Sequence, residues 1–338
     1  MDPPGPTIPG FERAWSQVLT GDSKYHVTVT PHLVLTGGAS APFVARAIAN
    51  GRQLWTLESS SAVVPASSDD ILLVVQNGAV VAVAASDGSR RWTRPFEDEI
   101  VVIGAGGGAV IVWAGDVITR LDVKNGQELW ARRAAKTAEA FVPPRPAIAD
   151  GLVVFSPRTG LLAASRLDTG AEEWQVEFEA PVSDISFMEG ALYVRVVGRG
   201  FFVMNPASSW VPWRLERTEV VGQPALQGDA LFISSLDNTV AQHSRSSGAR
   251  RWRTAIGGRP FAGPVIVGSR LLVPLTFGTF VEIDAASGNL VTTKAQDAAP
   301  EQPRYSLEAF AAGSDGTMLF AVTVDLGDVR TLSAFRKK

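Results

Sequence analysis

The sequence predicts an all-β fold, an eight-bladed β-propeller of four-stranded antiparallel blades closed by its N-terminal strand. Three observations carry this. A Gly-x-x-x-Trp unit recurs at Gly51–Trp55, Gly88–Trp92, Gly126–Trp130, Gly170–Trp174 and Gly248–Trp252, with degenerate copies at Ser209–Trp213 and Gly288–Thr292. Its last positions, 55, 92, 130, 174, 213, 252 and 292, are separated by 37, 38, 44, 39, 39 and 40 residues, and Trp15 stands one step before Trp55. A period near forty means stacked supersecondary units forming one body. Within each unit the apolar runs are short, rich in Val, Ile and Leu, and bounded by Gly, Asp, Asn or Ser, a pattern of strands and tight turns. The two ends also complement each other. After Thr292 only Leu307–Ala311, Thr317–Val324 and Val329–Phe335 read as strands, so Phe11–Trp15 supplies the missing fourth one and removes an exposed sheet edge.

The third repeat shows the layout in order: Ile100–Ile103, Ala109–Ala114, Val117–Val123 and Glu128–Arg132. The second gives Ile71–Val75, Val80–Ala84 and Arg91–Thr93; the seventh gives Val265–Val267, Arg270–Leu275 and Phe280–Asp284. The turn before each tryptophan strand, such as Asp87-Gly88 or Asn125-Gly126, has the residues that accept a positive φ. A tryptophan there has a large apolar body to bury, and the neighbouring unit offers the surface. Trp15, Trp55, Trp92, Trp130, Trp174, Trp213 and Trp252 are therefore read as structural. Residues 1–10 are expected to be a disordered or linker N-terminus, and 11–338 a single propeller in which 11–19 complete the eighth blade, about 305–335.

Composition narrows the function. A net charge of -3 over 338 residues offers no basic footprint for nucleic acid. The absence of cysteine excludes disulfides, thiol chemistry and cysteine-held metals. No apolar run is long enough to span a membrane, and Met1–Pro6 has neither the basic nor the apolar part of an export signal. The expectation is a monomer, cytoplasmic if this N-terminus is native and otherwise an exported chain whose signal has been removed.

The stretches Leu121-Asp122-Val123-Lys124-Asn125-Gly126-Gln127-Glu128-Leu129-Trp130 and Arg166-Leu167-Asp168-Thr169-Gly170-Ala171-Glu172-Glu173-Trp174 resemble the quinoprotein-type (PQQ-like) repeat. Length, eight units and N-terminal closure are similar to the periplasmic propeller lipoproteins of the bacterial outer-membrane barrel-assembly machinery. That resemblance implies a non-catalytic scaffold in the periplasm or at the outer membrane, whose partner is a barrel-assembly component. It also implies contacts through a long inter-blade loop, which corresponds here to Arg132–Pro146. That segment reads Lys136-Thr137-Ala138-Glu139-Ala140-Phe141-Val142, without the Arg and Asp of the family's loop element.

Enzymatic readings fare worse. Quinone-dependent dehydrogenases share the repeat, but this chain has neither their insertions nor a cysteine pair, and no cofactor is expected. Gly104–Gly108 imitates a dinucleotide fingerprint, yet Ala109–Ala114 after it reads as a strand where a helix is required, so the glycines are assigned to a blade turn. His26, His32 and His243 are too scattered for a zinc site, and Glu97-Asp98-Glu99 reads as a solvated loop. The arginine pairs Arg90-Arg91, Arg132-Arg133 and Arg250-Arg251 read as edge decoration. Phe141, Arg199 and Trp210 are not demanded by the repeat, and aromatic and arginine side chains are the usual anchors of interfaces, so they mark the expected partner surface. The alternative from another class is a sensor or small-ligand module.

Overall fold

The computed structural model describes residues 6–20, 24–58, 62–134, 143–291, 305–313 and 316–338. Among them every regular element is a β-strand, and no helix is long and apolar enough to cross a membrane. The strands form eight antiparallel sheets, each a blade of the expected all-β propeller class. The chain divides into two compact units, residues 1–37, 43–56 and 220–338 in one, and 38–42 and 57–219 in the other.

In the first unit, blade 8 takes its outer strand from the start of the chain. Phe11–Leu19 pairs with Arg330–Lys337, followed inward by Met318–Asp325 and Tyr305–Ala312. The register runs from Phe11 opposite Lys337 to Leu19 opposite Arg330, interrupted by a bulge between Arg13 and Trp15. A bulge re-aims the side chains beyond it. Here the indole of Trp15 reaches blade 1 (Tyr25–Val29, Leu33–Gly38, Ala41–Ala47, Gln53–Leu57) and donates to the Ile48 carbonyl at 2.8 Å. The inner strands of these two blades are tied by Glu308, which accepts from the Tyr25 backbone N–H at 2.6 Å and from Arg330 Nε at 2.8 Å in a nearly buried ion pair. Burial pushes the Tyr25 phenol up, with Arg330 opposing and Glu308 adding to the rise. Ile8, in the stretch read as a linker, is only 2% exposed and packs with Phe11, Leu272, Phe280, Leu307 and Phe335.

Blade 6 (Val220–Gln227, Ala230–Ser235, Thr239–Ser244, Arg250–Ala255) and blade 7 (Val265–Val267, Arg270–Pro274, Phe280–Asp284) complete this unit. Among the described residues blade 7 has three strands; where the degenerate Gly288–Thr292 copy predicts a fourth, there is one bridge from Ile283 to Leu290 and a bond from the Val291 N–H to the Glu282 carbonyl at 2.8 Å. Blades 6 and 7 meet backbone to backbone at Gly222 and Gly263, where a β-carbon on either residue would overlap the main chain of the facing segment.

The second unit holds blades 2 to 5. Blade 2 is Ala66–Ser68, Ile71–Gln76, Ala79–Ala84 and Arg90–Pro95; blade 3 is Ile100–Gly106, Ala109–Ala114, Val117–Asp122 and Glu128–Arg133. Blade 4 is Ala147–Ala149, Leu152–Arg158, Leu161–Arg166 and Glu172–Glu177; blade 5 is Val182–Met188, Ala191–Val196, Gly200–Met204 and Trp213–Glu216. Where a central strand is buried on both faces it is apolar throughout, as in Ala79–Ala84 and Ala109–Ala114, and the cores lie between successive blades: Leu73, Val80 and Trp92 with Ile103, Val110 and Leu121, for example. Gly104 and Gly106 belong to the first strand of blade 3, and only Gly107-Gly108 forms the turn read for the whole glycine run.

The repeated glycine and tryptophan meet across blades. The ring of Trp92 covers Gly126 of the next blade, and its Nε1 donates to the Val123 carbonyl at 2.8 Å. Trp130 does the same to Gly170 and Leu167, Trp252 to Gly288 and Ala285, and Trp15 to Gly51 and Ile48. Trp174 keeps the hydrogen bond, to the Pro206 carbonyl at 2.7 Å. A buried indole N–H needs such a partner.

Candidate functional site: a charged cleft on blade 5

Within a blade of this connectivity, the turns joining first to second and third to fourth strands lie at one end. The turn joining second to third strands and the connection to the next blade lie at the other. Arg199 belongs to the second kind of turn, between Ala191–Val196 and Gly200–Met204. Trp210, 65% exposed, belongs to the first kind, between Gly200–Met204 and Trp213–Glu216. A five-residue strand separates them, roughly 15–20 Å. The two candidates therefore flank one strand at opposite ends of blade 5 and do not share a single flat surface. Phe141 lies outside the described residues. The flank before it, Ala134, donates to the Asp116 carbonyl at 2.7 Å in the second-to-third turn of blade 3, the same kind of end that carries Arg199.

Around Arg199 the chain builds an open cleft of about 440 Å3. Its floor is the edge-to-face pair Phe178 and Phe202, centroids 5.0 Å apart. Its walls are charged in pairs: Arg199 with Glu179, and Arg214 with Glu216 at 2.8 Å, while Glu177 is held by Arg158. Arg217 also lines the cleft, at a φ of 53°, and its backbone N–H donates to the Arg199 carbonyl at 2.9 Å. Glu219 lies outside the lining and accepts the Gly198 N–H at 2.8 Å. Only Arg199 of this set stands out in the sequence. The other charges come from three further segments with unremarkable neighbours, and an arginine at positive φ carries no sequence signal.

At the opposite end, a second cleft of about 430 Å3 near the Trp210 turn is lined by Arg120, Asp150, Arg166, Asp168 and Glu173 among others. Its cations are occupied: Arg120 donates to the Leu167 carbonyl at 2.7 Å, and Arg166 pairs with Asp168 at 3.4 Å. The histidines contribute no cluster. His243 is buried, and its Nδ1 lies 2.9 Å from the Gly248 carbonyl; burial holds its pKa down. Among the described residues no group of three or more His, Cys, Asp or Glu side chains is placed to hold a metal ion. Of the arginine pairs, Arg132 reaches Ser165 Oγ at 3.2 Å on the next blade, and Arg251 reaches Asp229 at 2.5 Å within its own.

Eight antiparallel sheets ruled by a Gly-x-x-x-Trp repeat, each covered glycine lying under the preceding blade's tryptophan, define a PQQ-like β-propeller. The chain belongs to the family described as outer membrane protein assembly factor BamB, whose model matches residues 43–254 and 168–306. A curated relative, the outer membrane protein assembly factor BamB of Shewanella oneidensis, is 23% identical over 217 residues, 61% of this chain but only 45% of that protein. The solved structure of BamB from Moraxella catarrhalis superposes with a TM-score of 0.70 at 16% identity, covering 97% of this chain and 98% of that one. The computationally designed Ika8 protein superposes equally well, TM-score 0.71 at 15% identity, over 92% and 96% of the two chains. Likeness at this identity is a likeness of fold.

Proposed function

We propose that this chain is a non-catalytic scaffold in outer-membrane protein assembly, working in the periplasm or at the outer membrane through contacts with a protein partner of the assembly apparatus. The observation that carries the reading is the family match across residues 43–306. The structure supports it from the other side: the residues that repeat best, the tryptophans and their glycines, are spent on packing between blades. We assign the docking surface to the end of blade 5 that carries Arg199 and its cleft, with Trp210 at the far end outside that surface.

The test is genetic. Cells of the native host lacking this chain should show lowered levels of folded, heat-modifiable outer-membrane β-barrel proteins. The wild-type gene should restore them, and a gene carrying Arg199→Glu should restore them incompletely. Unchanged β-barrel levels in the deletion strain would overturn the assignment to assembly.

A further inference from the structure

We infer that Arg217 is the anchor of the blade 5 cleft, taking a carboxylate from a loop of the protein partner beside the Phe178–Phe202 floor; this rests on the docking surface assigned above. The charges of the cleft lining leave one cation over. Every carboxylate lining the cleft already has a guanidinium: Glu177 has Arg158, Glu179 has Arg199 and Glu216 has Arg214. Arg217 is the lining cation left over, with no carboxylate and no side-chain hydrogen bond among the described residues. The carboxylate of Glu219, two residues on, spends an oxygen on the Gly198 N–H.

The backbone holds Arg217 in place at some conformational expense. Its φ of 53° lies in the left-handed region that arginine disfavours. Glycine would fit that turn without strain, so an arginine there is not explained by the turn. Its own N–H is fixed to the Arg199 carbonyl, which ties its position to the turn that carries Arg199. A guanidinium can bind a carboxylate through two parallel hydrogen bonds, and an aromatic floor beside it suits an apolar neighbour of that carboxylate. An incoming Asp or Glu flanked by an apolar residue fits both.

The experiment uses the full chain in its native cells, with a photoreactive benzoyl-phenylalanine replacing Val197 on the exposed rim. A discrete adduct should form. Its yield should fall at least fivefold with Arg217→Gln and by less with Arg217→Lys, which keeps the charge but not the two parallel hydrogen bonds, both variants melting with the wild type. Mass spectrometry of the adduct should place an Asp or Glu close to the cross-linked position, and converting it to Asn or Gln should reproduce the loss. An adduct that persists with Arg217→Gln leaves the docking surface standing and overturns the role of Arg217. No adduct with any variant overturns both. Arg217-dependent pelleting of the purified chain with phosphatidylglycerol vesicles, the adduct being indifferent to Arg217, would assign the cation to a lipid headgroup instead and overturn the proposal.

Discussion

The ring of Trp92 occupies the space that a side chain on Gly126 would need: a β-carbon there would lie 2.6 Å from the indole Cε3. Gly126 also sits at a φ of 70°. Gly126→Ala therefore meets a left-handed backbone cost of about 1–2 kcal/mol and an overpacking cost of about 1–3 kcal/mol. Urea unfolding should show a total loss of about 2–5 kcal/mol. A loss below about 1 kcal/mol, less than either cost alone, would mean the two blades do not press on each other as described.

Removal of residues 1–19 takes away the whole outer strand of blade 8 and exposes the edge of Arg330–Lys337. It also strips Ile8 and Phe11 from their cluster with Leu272 and Phe335. The truncated chain should melt well below the full one and associate in solution, because a bare apolar strand edge pairs with other chains. Light scattering and calorimetry read both effects, and an unchanged melting temperature in a monodisperse sample would contradict the closure.

Glu308 joins the Tyr25 N–H of blade 1 to Arg330 of blade 8. Glu308→Gln keeps the shape but leaves Arg330 buried without its counter-charge. Breaking a buried pair on one side costs about 3–5 kcal/mol. The double variant Glu308→Gln, Arg330→Met should recover part of that loss in chemical denaturation; a double variant as unstable as the single one would show that the pair's charge is not the issue.

Tyr193, only 1% exposed, stacks on Phe201, and its hydroxyl has no hydrogen-bond partner among the described residues. Burial pushes its pKa up to about 12 from the ordinary 10.0. The folded state then holds the proton between pH 10 and 12 while the unfolded chain has lost it, so stability falls as pH rises through that window, by about 1.4 kcal/mol per pH unit. Tyr193→Phe should flatten this alkaline loss. It should also raise stability near neutral pH by about 1 kcal/mol, since an unpaired buried hydroxyl is removed. Unfolding curves on either side of the ordinary tyrosine pKa, at about pH 8 and about pH 11, decide it.

The blade count is legible because the tryptophan spacing is a direct copy of the packing period, and Trp15 needs only subtraction to find. The partner of each tryptophan is less so. Trp92 lies over Gly126, not over the Gly88 of its own motif, and the motif's internal spacing hides that offset. The separation of Arg199 and Trp210 is readable in principle from their places on either side of Gly200–Met204, but treating a blade as a single point merges its two ends. The cleft charges are not readable at all: Arg199 meets Glu179 and Arg158 meets Glu177 from separate segments of the chain, and Arg217 joins them only in the folded lining. A fourth strand in blade 7 is expected from spacing alone; the copy ends on Thr292 where most repeats have tryptophan, and among the described residues it shows one bridge, Ile283 to Leu290.

The offset of Trp15, Trp92, Trp130 and Trp252 onto the following glycine makes the unit of inheritance differ from the unit of packing. A repeat taken out of the array brings a ring with no floor and a glycine with no cover, so a blade moved alone loses a partner on both sides. Substitutions at the two partners should be exchanged together, tryptophan of one repeat with glycine of the next, and a transplanted blade needs the last strand of its predecessor to come with it.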